Sequence, residues 1–264
     1  MVGKALRTYI FDLDGVIYRG DEIQPGAAET IQTLRLRSEK VYFLTNNSTL
    51  SRRDYAHKLT RLGIPTQPAD VMTSAYAAAI YLKEQKPQGC AAYVVGESGI
   101  RDELRAVGVR IVNRLDNRTV DFVVVGLDRR FNYRKLLEAQ QAIFRGAEFV
   151  ATNRDPTFPL EKGLMTPGGG SMVSAIQTAA GVEPRVIGKP QTYSLEKIMA
   201  MAGTQPDETV VIGDRLDTDI RLGKKAGAHT ALVLTGVTTE QDARNAPPEM
   251  KPDRIIRSLL ELVQ

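Results

Sequence analysis

Two carboxylates at the end of an apolar run are the feature of this sequence that most directly suggests chemistry. Asp12 and Asp14 follow Tyr9-Ile10-Phe11, and Gly15 comes directly after them. Because positions i and i+2 of a strand face the same way, both carboxylates leave the strand end together. They repel unless a cation lies between them or one keeps its proton. The pair predicts an active site with a metal ligand, a nucleophile and a general acid; an ordinary Asp-Gly turn is the alternative.

Polar residues also follow two other apolar runs. Thr45, Asn46 and Asn47 come after the second run, where a hydroxyl and two amides suit a phosphate. Taken alone, this motif is better explained as an N-cap for the helix that starts near Ser51. Lys189 stands between a glycine and a proline after a later run, which predicts an ammonium group fixed near phosphate oxygens. A solvated lysine in a turn is the alternative for Lys189.

A last acidic group follows the apolar run that ends at Gly213. Asp214 comes first, and Asp217 and Asp219 follow closely. Hard oxygen ligands of this kind suit Mg²⁺. The N-terminus of a helix would explain Asp217, since Asp is a favoured cap, but it explains Asp214 poorly because that residue precedes the cap.

Length, charge and cysteine content narrow the class of protein. The chain has 264 residues, 42% of them hydrophobic, and a net charge of +4 without a basic block. We therefore expect a globular protein with a small anionic substrate rather than nucleic acid. The single cysteine, Cys90, fits a reducing cytoplasm. No apolar run approaches the ~18 residues of a membrane helix, so we predict a cytoplasmic protein with no membrane partner.

Apolar runs alternate with helical patterns, which predicts an α/β fold with a parallel sheet. The simplest partition has a core of residues 1–80 and 184–264, interrupted by a second α/β domain of residues 81–183. The predicted elements also include a glycine-rich loop, Gly163–Gly170, in the inserted domain. Two predicted helices, Thr218–Ala226 and Arg254–Leu262, lie in the last part of the core.

Taken together and in this order, the motifs resemble those of the haloacid dehalogenase (HAD) superfamily. The matching residues are Asp12-x-Asp14, Thr45, Lys189 and Gly213-Asp214-x-x-x-Thr218-Asp219. Thr-Asn-Asn-Ser after the second strand and an insertion of roughly a hundred residues resemble the NagD/p-nitrophenylphosphatase branch with a C2-type cap. The resemblance implies a Rossmann-like three-layer α/β core with an inserted α/β cap domain.

The resemblance also implies a role for each carboxylate. Asp12 would attack phosphorus and form an aspartyl-phosphate, and Asp14 would protonate the leaving oxygen and later deprotonate water. Mg²⁺ would bind the Asp12 carboxylate, the Asp14 backbone carbonyl and Asp214. Asp219 would orient water ligands or Lys189. Haloacid dehalogenases proper lack the second aspartate, so Asp14 favours phosphoryl transfer over dehalogenation.

The remaining predicted contacts are with the phosphate and the rest of the substrate. Thr45, Asn46 and Lys189 would hold the equatorial oxygens of the phosphate, and Asn47 is a further candidate for substrate contact.

The segment after Asp14 is long enough for a hairpin but not for a lid, so the cap would cover the site. Its loop of residues 151–160 contains Arg154, which would meet substrate charge, or else is a solvated loop arginine. Relatives that prefer pyridoxal phosphate tend to carry a histidine in this loop. This chain has Phe158 there, which disfavours that substrate.

The leading hypothesis is therefore a Mg²⁺-dependent phosphatase of small phosphorylated metabolites. Nucleotide phosphates, sugar phosphates and p-nitrophenyl phosphate are the candidate substrates. A phosphotransferase with the same intermediate and a catalytically weak regulatory binding protein remain as alternatives, and a homodimer through the cap stays open.

Overall fold

The computed structural model describes residues 6–116, 118–159 and 165–264, without the side chains of residues 158 and 159. The chain divides into two compact units. The first unit comprises Met1–Thr45, Tyr55–Met72 and Lys189–Gln264, and the second comprises Asn46–Asp54 and Thr73–Gly188. The second unit is thus largely one continuous segment inserted into the first. That residues 81–183 act as a cap stays a prediction.

The first unit is built on a six-stranded sheet with the order β15-β14-β13-β1-β4-β5. All pairs from β15 to β4 are parallel. Its strands are β1 (Thr8–Phe11), β4 (Lys40–Thr45), β5 (Val71–Thr73), β13 (Thr209–Gly213), β14 (His229–Val233) and β15 (Arg254–Ile256). Its helices are α1 (Ala27–Leu36), α7 (Tyr193–Ala202), α8 (Arg221–Ala226), α9 (Glu240–Arg244) and, from Tyr55 onward, α2 (Arg52–Arg61).

Burial on both faces of this sheet produces a layered core. Neighbouring residues of β1, such as Ile10 and Phe11, are both fully buried although their side chains point to opposite faces. On one face Phe11 and Phe43 lie with ring centroids 6.5 Å apart and pack with apolar residues of α1 and α2. This confirms the predicted Rossmann-like α/β core, in which helices cover a parallel sheet.

The second unit has its own parallel sheet, with the order β12-β9-β8-β6-β7, and its own apolar core. Its strands are β6 (Ala91–Val95), β7 (Arg110–Val112), β8 (Phe122–Val125), β9 (Glu148–Ala151) and β12 (Arg185–Val186). Its helices are α3 (Ser74–Gln85), α4 (Ser98–Ala106), α5 (Tyr133–Phe144) and α6 (Gly169–Ala180). An antiparallel pair, β10 (Thr157–Pro159) and β11 (Met165–Pro167), completes the unit.

A short hairpin follows β1 in the first unit, as predicted. It pairs β2 (Tyr18–Arg19) with β3 (Glu22–Ile23). The chain enters it through Gly15, whose φ of 83° lies in the left-handed region that favours glycine. The turn is closed by the Gly15 amide, which donates to the Tyr18 carbonyl at 2.8 Å.

The prediction of a C-terminal helix over Arg254–Leu262 is wrong. Residues Arg254–Ile256 form β15, which pairs in parallel with β14 from Ala231 to Val233. Only a short 3₁₀ turn, Leu259–Leu262, follows, and the Ser258 hydroxyl caps it by accepting from the Leu260 amide at 3.3 Å. The backbone pairing available at the edge of β14 outweighs the weak helical pattern of this segment.

Two other predicted boundaries are corrected. Where one helix was predicted over Thr218–Ala226, the chain makes a π-helical turn at Leu216–Ile220 before α8 begins at Arg221. The predicted loop Gly163–Gly170 instead contains β11 and the start of α6 at Gly169, although residues 163 and 164 lie outside the described part.

Among the described residues, no helix is both long enough and apolar enough to cross a membrane.

Candidate active site

The site lies at the carboxyl ends of the three central strands of the first unit. Asp12 follows β1, Thr45 is the last residue of β4, and Asp214 follows β13. Since β1 pairs in register with both β4 and β13, these three residues reach the same edge of the sheet. Parallel sheets bind ligands at this edge because their strand ends and following loops converge there.

Lys189 joins two of the acidic residues. Its ammonium nitrogen lies 2.7 Å from Asp12 Oδ1 and 2.7 Å from Asp219 Oδ1, and it also donates to the Leu44 carbonyl at 3.3 Å. The Lys189 side chain is only 3% exposed. A buried cation of this kind is stable only with charged or hydrogen-bonding partners, and these carboxylates supply them.

A glycine allows Asp219 to come this close. A Cβ on Gly213 would lie 2.2 Å from both Cβ and Cγ of Asp219, so a larger residue would displace that carboxylate. The second Asp219 oxygen accepts from the Arg215 amide and the Thr218 hydroxyl, both at 3.3 Å. Asp219 is therefore held on one side by its own loop and on the other by Lys189.

The acidic residues also fit a divalent cation. One carboxylate oxygen from each of Asp12, Asp214 and Asp219 lies within 4.8 Å of the others. Asp214 Oδ2 accepts from the Val237 amide at 3.0 Å, whereas Asp214 Oδ1 is buried and has no hydrogen-bond partner. A buried carboxylate oxygen without a donor is costly, and a hard cation such as Mg²⁺ would satisfy it.

The charges of these groups are strongly coupled. Burial raises the pKa of the Asp12 carboxyl well above its usual range, with Lys189 opposing the shift and the other two carboxylates adding to it. Burial and the neighbouring Asp219 charge raise the pKa of Asp214 to about 6. For Lys189, burial lowers the pKa, but the Asp12 and Asp219 carboxylates outweigh it and the net shift is upward. A cation would oppose the upward shifts of the carboxyl groups.

Asp14 lies in a different environment on the turn after β1. Burial raises its pKa, and the charges of Lys58 and Lys189 oppose that shift. A carboxyl whose pKa is raised holds its proton more readily, as a general acid requires. Lys58 of α2 reaches this hairpin with its side chain: its ammonium donates to the Gly20 carbonyl at 2.8 Å and lies 3.9 Å from the ring centroid of Tyr18.

The predicted phosphate ligands lie at the end of β4 and in the loop that follows it. Thr45 is buried. The Asn46 amide nitrogen donates to the Asp155 carboxylate at 3.1 and 3.3 Å. Asn47 Oδ1 accepts from the amide and the hydroxyl of Thr49. Direct phosphate contact by these three residues stays a prediction.

The predicted cap residues lie in the second unit. An Arg154 guanidinium nitrogen contacts Glu183 Oε2 and Gln177 Oε1, each at 2.6 Å. Contact of Arg154 with substrate charge therefore also stays a prediction. The Phe158 side chain and residue 160 lie outside the described part of the chain.

Sequence reasoning missed two contributors to the site. Lys58 stands in an ordinary helical pattern, which carries no signal of its position near Asp14. The second is Val237, whose amide donates to Asp214; the Thr235-Gly236 pair shortly after an apolar strand is a signal that could have identified this segment.

The chain matches two models of protein families. Residues 9–110 match the family of haloacid dehalogenase-like hydrolases, and residues 186–262 match a second HAD-hydrolase-like family. Among curated proteins, the 5'-nucleotidase YutF of Bacillus subtilis is 38% identical over 260 residues, which cover 98% of each chain.

Solved structures show the same similarity in three dimensions. A p-nitrophenyl phosphatase from Archaeoglobus fulgidus superposes with a TM-score of 0.90 at 34% identity, covering 98% of this chain and 99% of the other. A glycerol phosphate phosphatase from Mycobacterium tuberculosis in complex with magnesium has a TM-score of 0.91 at 38% identity, covering 99% of this chain and 78% of the other.

Proposed function

Since the chain belongs to the haloacid dehalogenase-like hydrolase family, we propose that this site hydrolyses phosphomonoesters of small metabolites in a Mg²⁺-dependent reaction. The observation that best supports this proposal is the arrangement around Lys189. The buried ammonium lies 2.7 Å from both Asp12 and Asp219, whose carboxylates cluster with that of Asp214, and one buried Asp214 oxygen lacks a donor. Such a site brings a nucleophile, a fixed positive charge and cation ligands together at the carboxyl ends of the strands.

In the first step, an Asp12 carboxylate oxygen attacks the substrate phosphorus. The new oxygen–phosphorus bond forms as the bond to the ester oxygen breaks, which leaves an aspartyl-phosphate. Asp14 gives its proton to the departing oxygen, so that an alcohol leaves rather than an alkoxide. Lys189 stabilises the charge that spreads over the phosphoryl oxygens.

In the second step, water attacks the aspartyl-phosphate. Asp14, now deprotonated, accepts the proton of that water as its oxygen bonds to phosphorus. The bond between phosphorus and Asp12 breaks, inorganic phosphate leaves, and both aspartates return to their first state. Asp219 keeps Lys189 in place throughout through their 2.7 Å contact.

Mg²⁺ would be held by Asp214, the Asp12 carboxylate and the Asp14 backbone carbonyl. When bound, it supplies positive charge that offsets the repulsion between the Asp12 carboxylate and a phosphate dianion.

The substrates we propose are nucleotide phosphates, sugar phosphates and the chromogenic ester p-nitrophenyl phosphate. The relatives support a range of this kind, since they include a 5'-nucleotidase, a p-nitrophenyl phosphatase and a glycerol phosphate phosphatase. The proposed substrates have one feature in common, which is a phosphomonoester group on a small molecule. We place the choice among these substrates in the second unit, in the loop that carries Arg154.

We also propose that the protein works in the cytoplasm without nucleic acid or membrane partners. The charge of +4 without a basic block and the free thiol of Cys90 support this placement. A homodimer formed through the second unit is part of the proposal. Tyr133, Leu137 and Phe144, which are 78%, 42% and 61% exposed, share one face of α5 and would supply apolar contact area.

The direct experiment is a phosphate-release screen across phosphorylated metabolites and p-nitrophenyl phosphate. We expect turnover that EDTA abolishes and Mg²⁺ restores, and we expect Asp214→Asn to raise the Mg²⁺ concentration for half-maximal rate by at least about tenfold. Glu249→Gln is the matched control, because it changes an exposed carboxylate that is not one of the proposed cation ligands. Full turnover in EDTA would contradict the role of the cation, and absence of turnover on every ester would support a binding protein.

The role of Asp14 predicts an effect that depends on the leaving group. Asp14→Asn should lower kcat/KM for glycerol phosphate by about 10²–10⁴-fold, because an alkoxide needs its proton. The fall for p-nitrophenyl phosphate should be smaller, because nitrophenolate leaves without one. Steady-state kinetics on both esters measure the difference. Glu22→Gln is the control, since that carboxylate is exposed on the same hairpin; equal losses on both esters in Asp14→Asn would rule out the acid role.

A further inference from the structure

The segment Thr235-Gly236-Val237 follows β14 and touches two parts of the candidate cation site. It contacts the turn that carries Asp14 and the carboxylate of Asp214. We infer that this segment positions the cation ligands, and that the Thr235 hydroxyl fixes the Asp14 turn in place for Mg²⁺ binding. The inference deepens the proposed function and rests on it for the identity of the cation.

The first contact holds the turn after β1. The Thr235 hydroxyl donates to the Gly15 carbonyl at 2.7 Å, and the Thr235 carbonyl accepts from an Arg19 guanidinium nitrogen at 2.8 Å. One residue therefore binds the start of the hairpin and its first strand. Asp14, whose backbone carbonyl we assign to Mg²⁺, is the residue directly before Gly15. The Thr235 hydroxyl thus holds the peptide unit directly after the one that carries the Asp14 carbonyl, and so restrains the turn on which that carbonyl lies.

The second contact orients Asp214. A Cβ on Gly236 would lie 1.8 Å from Asp214 Oδ2, and one on Gly15 would lie 2.7 Å from the same atom. Both positions therefore need glycine for the carboxylate to keep its place. The Val237 amide donates to Oδ2 at 3.0 Å. These contacts occupy one oxygen of Asp214 and leave Oδ1, which is buried and lacks a donor, for the cation.

A metal site of this kind depends on the groups that hold its ligands. When a partner that orients a ligand is removed, metal affinity typically falls about 10–100-fold. The Thr235 hydroxyl is such a partner for the Asp14 turn, and it can be removed without changing the shape of the side chain. Thr235→Val deletes the donor to Gly15, and Thr235→Ser keeps it.

The experiment measures Mg²⁺ affinity by isothermal titration calorimetry without substrate, using the full-length chain. We expect Thr235→Val to raise the Mg²⁺ Kd about tenfold or more, and Thr235→Ser to stay close to wild type. Thr238→Val is the control, because that hydroxyl in the same stretch has no hydrogen-bond partner among the described residues. In turnover of p-nitrophenyl phosphate, the Mg²⁺ concentration for half-maximal rate should rise in parallel, with KM for the ester unchanged at saturating Mg²⁺.

A Thr235→Val protein that is folded by circular dichroism and binds Mg²⁺ as wild type does would overturn the inference. An equal loss of affinity in Thr238→Val would overturn it as well, because the effect would then not depend on the contact with Gly15. Failure of the proposed function gives a different result. In that case the wild type releases no phosphate from any ester, whereas the calorimetric comparison of the variants still reports on Thr235.

Discussion

Asp12→Asn is expected to abolish phosphate release, with a fall in kcat of about 10⁴-fold or more. The amide that replaces the carboxylate is a poor nucleophile, so the first of the two steps has no attacking group. Loss of a covalent nucleophile is among the largest single effects in enzyme kinetics. The fold should survive, because Lys189 keeps its 2.7 Å contact with Asp219. Steady-state release of p-nitrophenol measures the loss.

The matched control for this variant is Asp217→Asn. Asp217 belongs to the acidic loop after β13, but its side chain is 61% exposed and pairs with Arg215 rather than with Lys189. It should retain activity close to wild type. Thermal unfolding of Asp12→Asn should be cooperative like that of wild type. An Asp12→Asn enzyme with activity near that of wild type would refute the nucleophile assignment.

Lys189→Met should damage both stability and catalysis. Removing the ammonium leaves the Asp12 and Asp219 carboxylates, which are 12% and 1% exposed, without their shared counter-charge. Breaking a buried ion pair from one side typically costs about 3–5 kcal/mol of unfolding free energy. Phosphate release should also fall by about 10²–10³-fold or more, because a donor that stabilises the transition state is gone. Urea unfolding without added Mg²⁺ measures the first effect.

Lys225→Met is the comparison for this variant, since Lys225 is exposed on α8. Its unfolding free energy should change by less than about 0.5 kcal/mol. A second variant, Asp219→Asn with Lys189 intact, should cost less stability than Lys189→Met, because Asp12 still pairs with the ammonium. If Lys189→Met unfolded at the same urea concentration as wild type, the buried ion pair could not be a main support of the site.

The sequence predicted those parts of the site that follow from local pattern. Asp12, Thr45 and Asp214 each end or follow an apolar run, and parallel strands bring such ends together. The order of the motifs carried the family resemblance, which the family comparisons confirm. The alternation of strand and helix likewise predicted the Rossmann-like core, because periodicity along the chain records which residues are buried.

The parts that it did not predict depend on contacts between distant residues. Arg254–Ile256 forms a strand because it pairs with the edge of β14. The pattern of residue types in three positions does not indicate that this pairing is available. Lys58 lies 38 residues from Gly20, whose carbonyl it binds. Thr235 lies 220 residues from Gly15. Such pairings are set by the packing of the whole unit, so residue types and spacing alone do not specify them.

The most direct test of the account asks whether phosphorus is bonded to Asp12 during turnover. Enzyme mixed with substrate and Mg²⁺ is quenched in acid within milliseconds, digested, and analysed by mass spectrometry. We predict one added phosphoryl group on the peptide that contains Asp12, located on that residue by fragmentation, and none in Asp12→Asn. An enzyme that releases phosphate rapidly and never carries a phosphoryl group on Asp12, even when its breakdown is slowed by Asp14→Asn, would contradict the account.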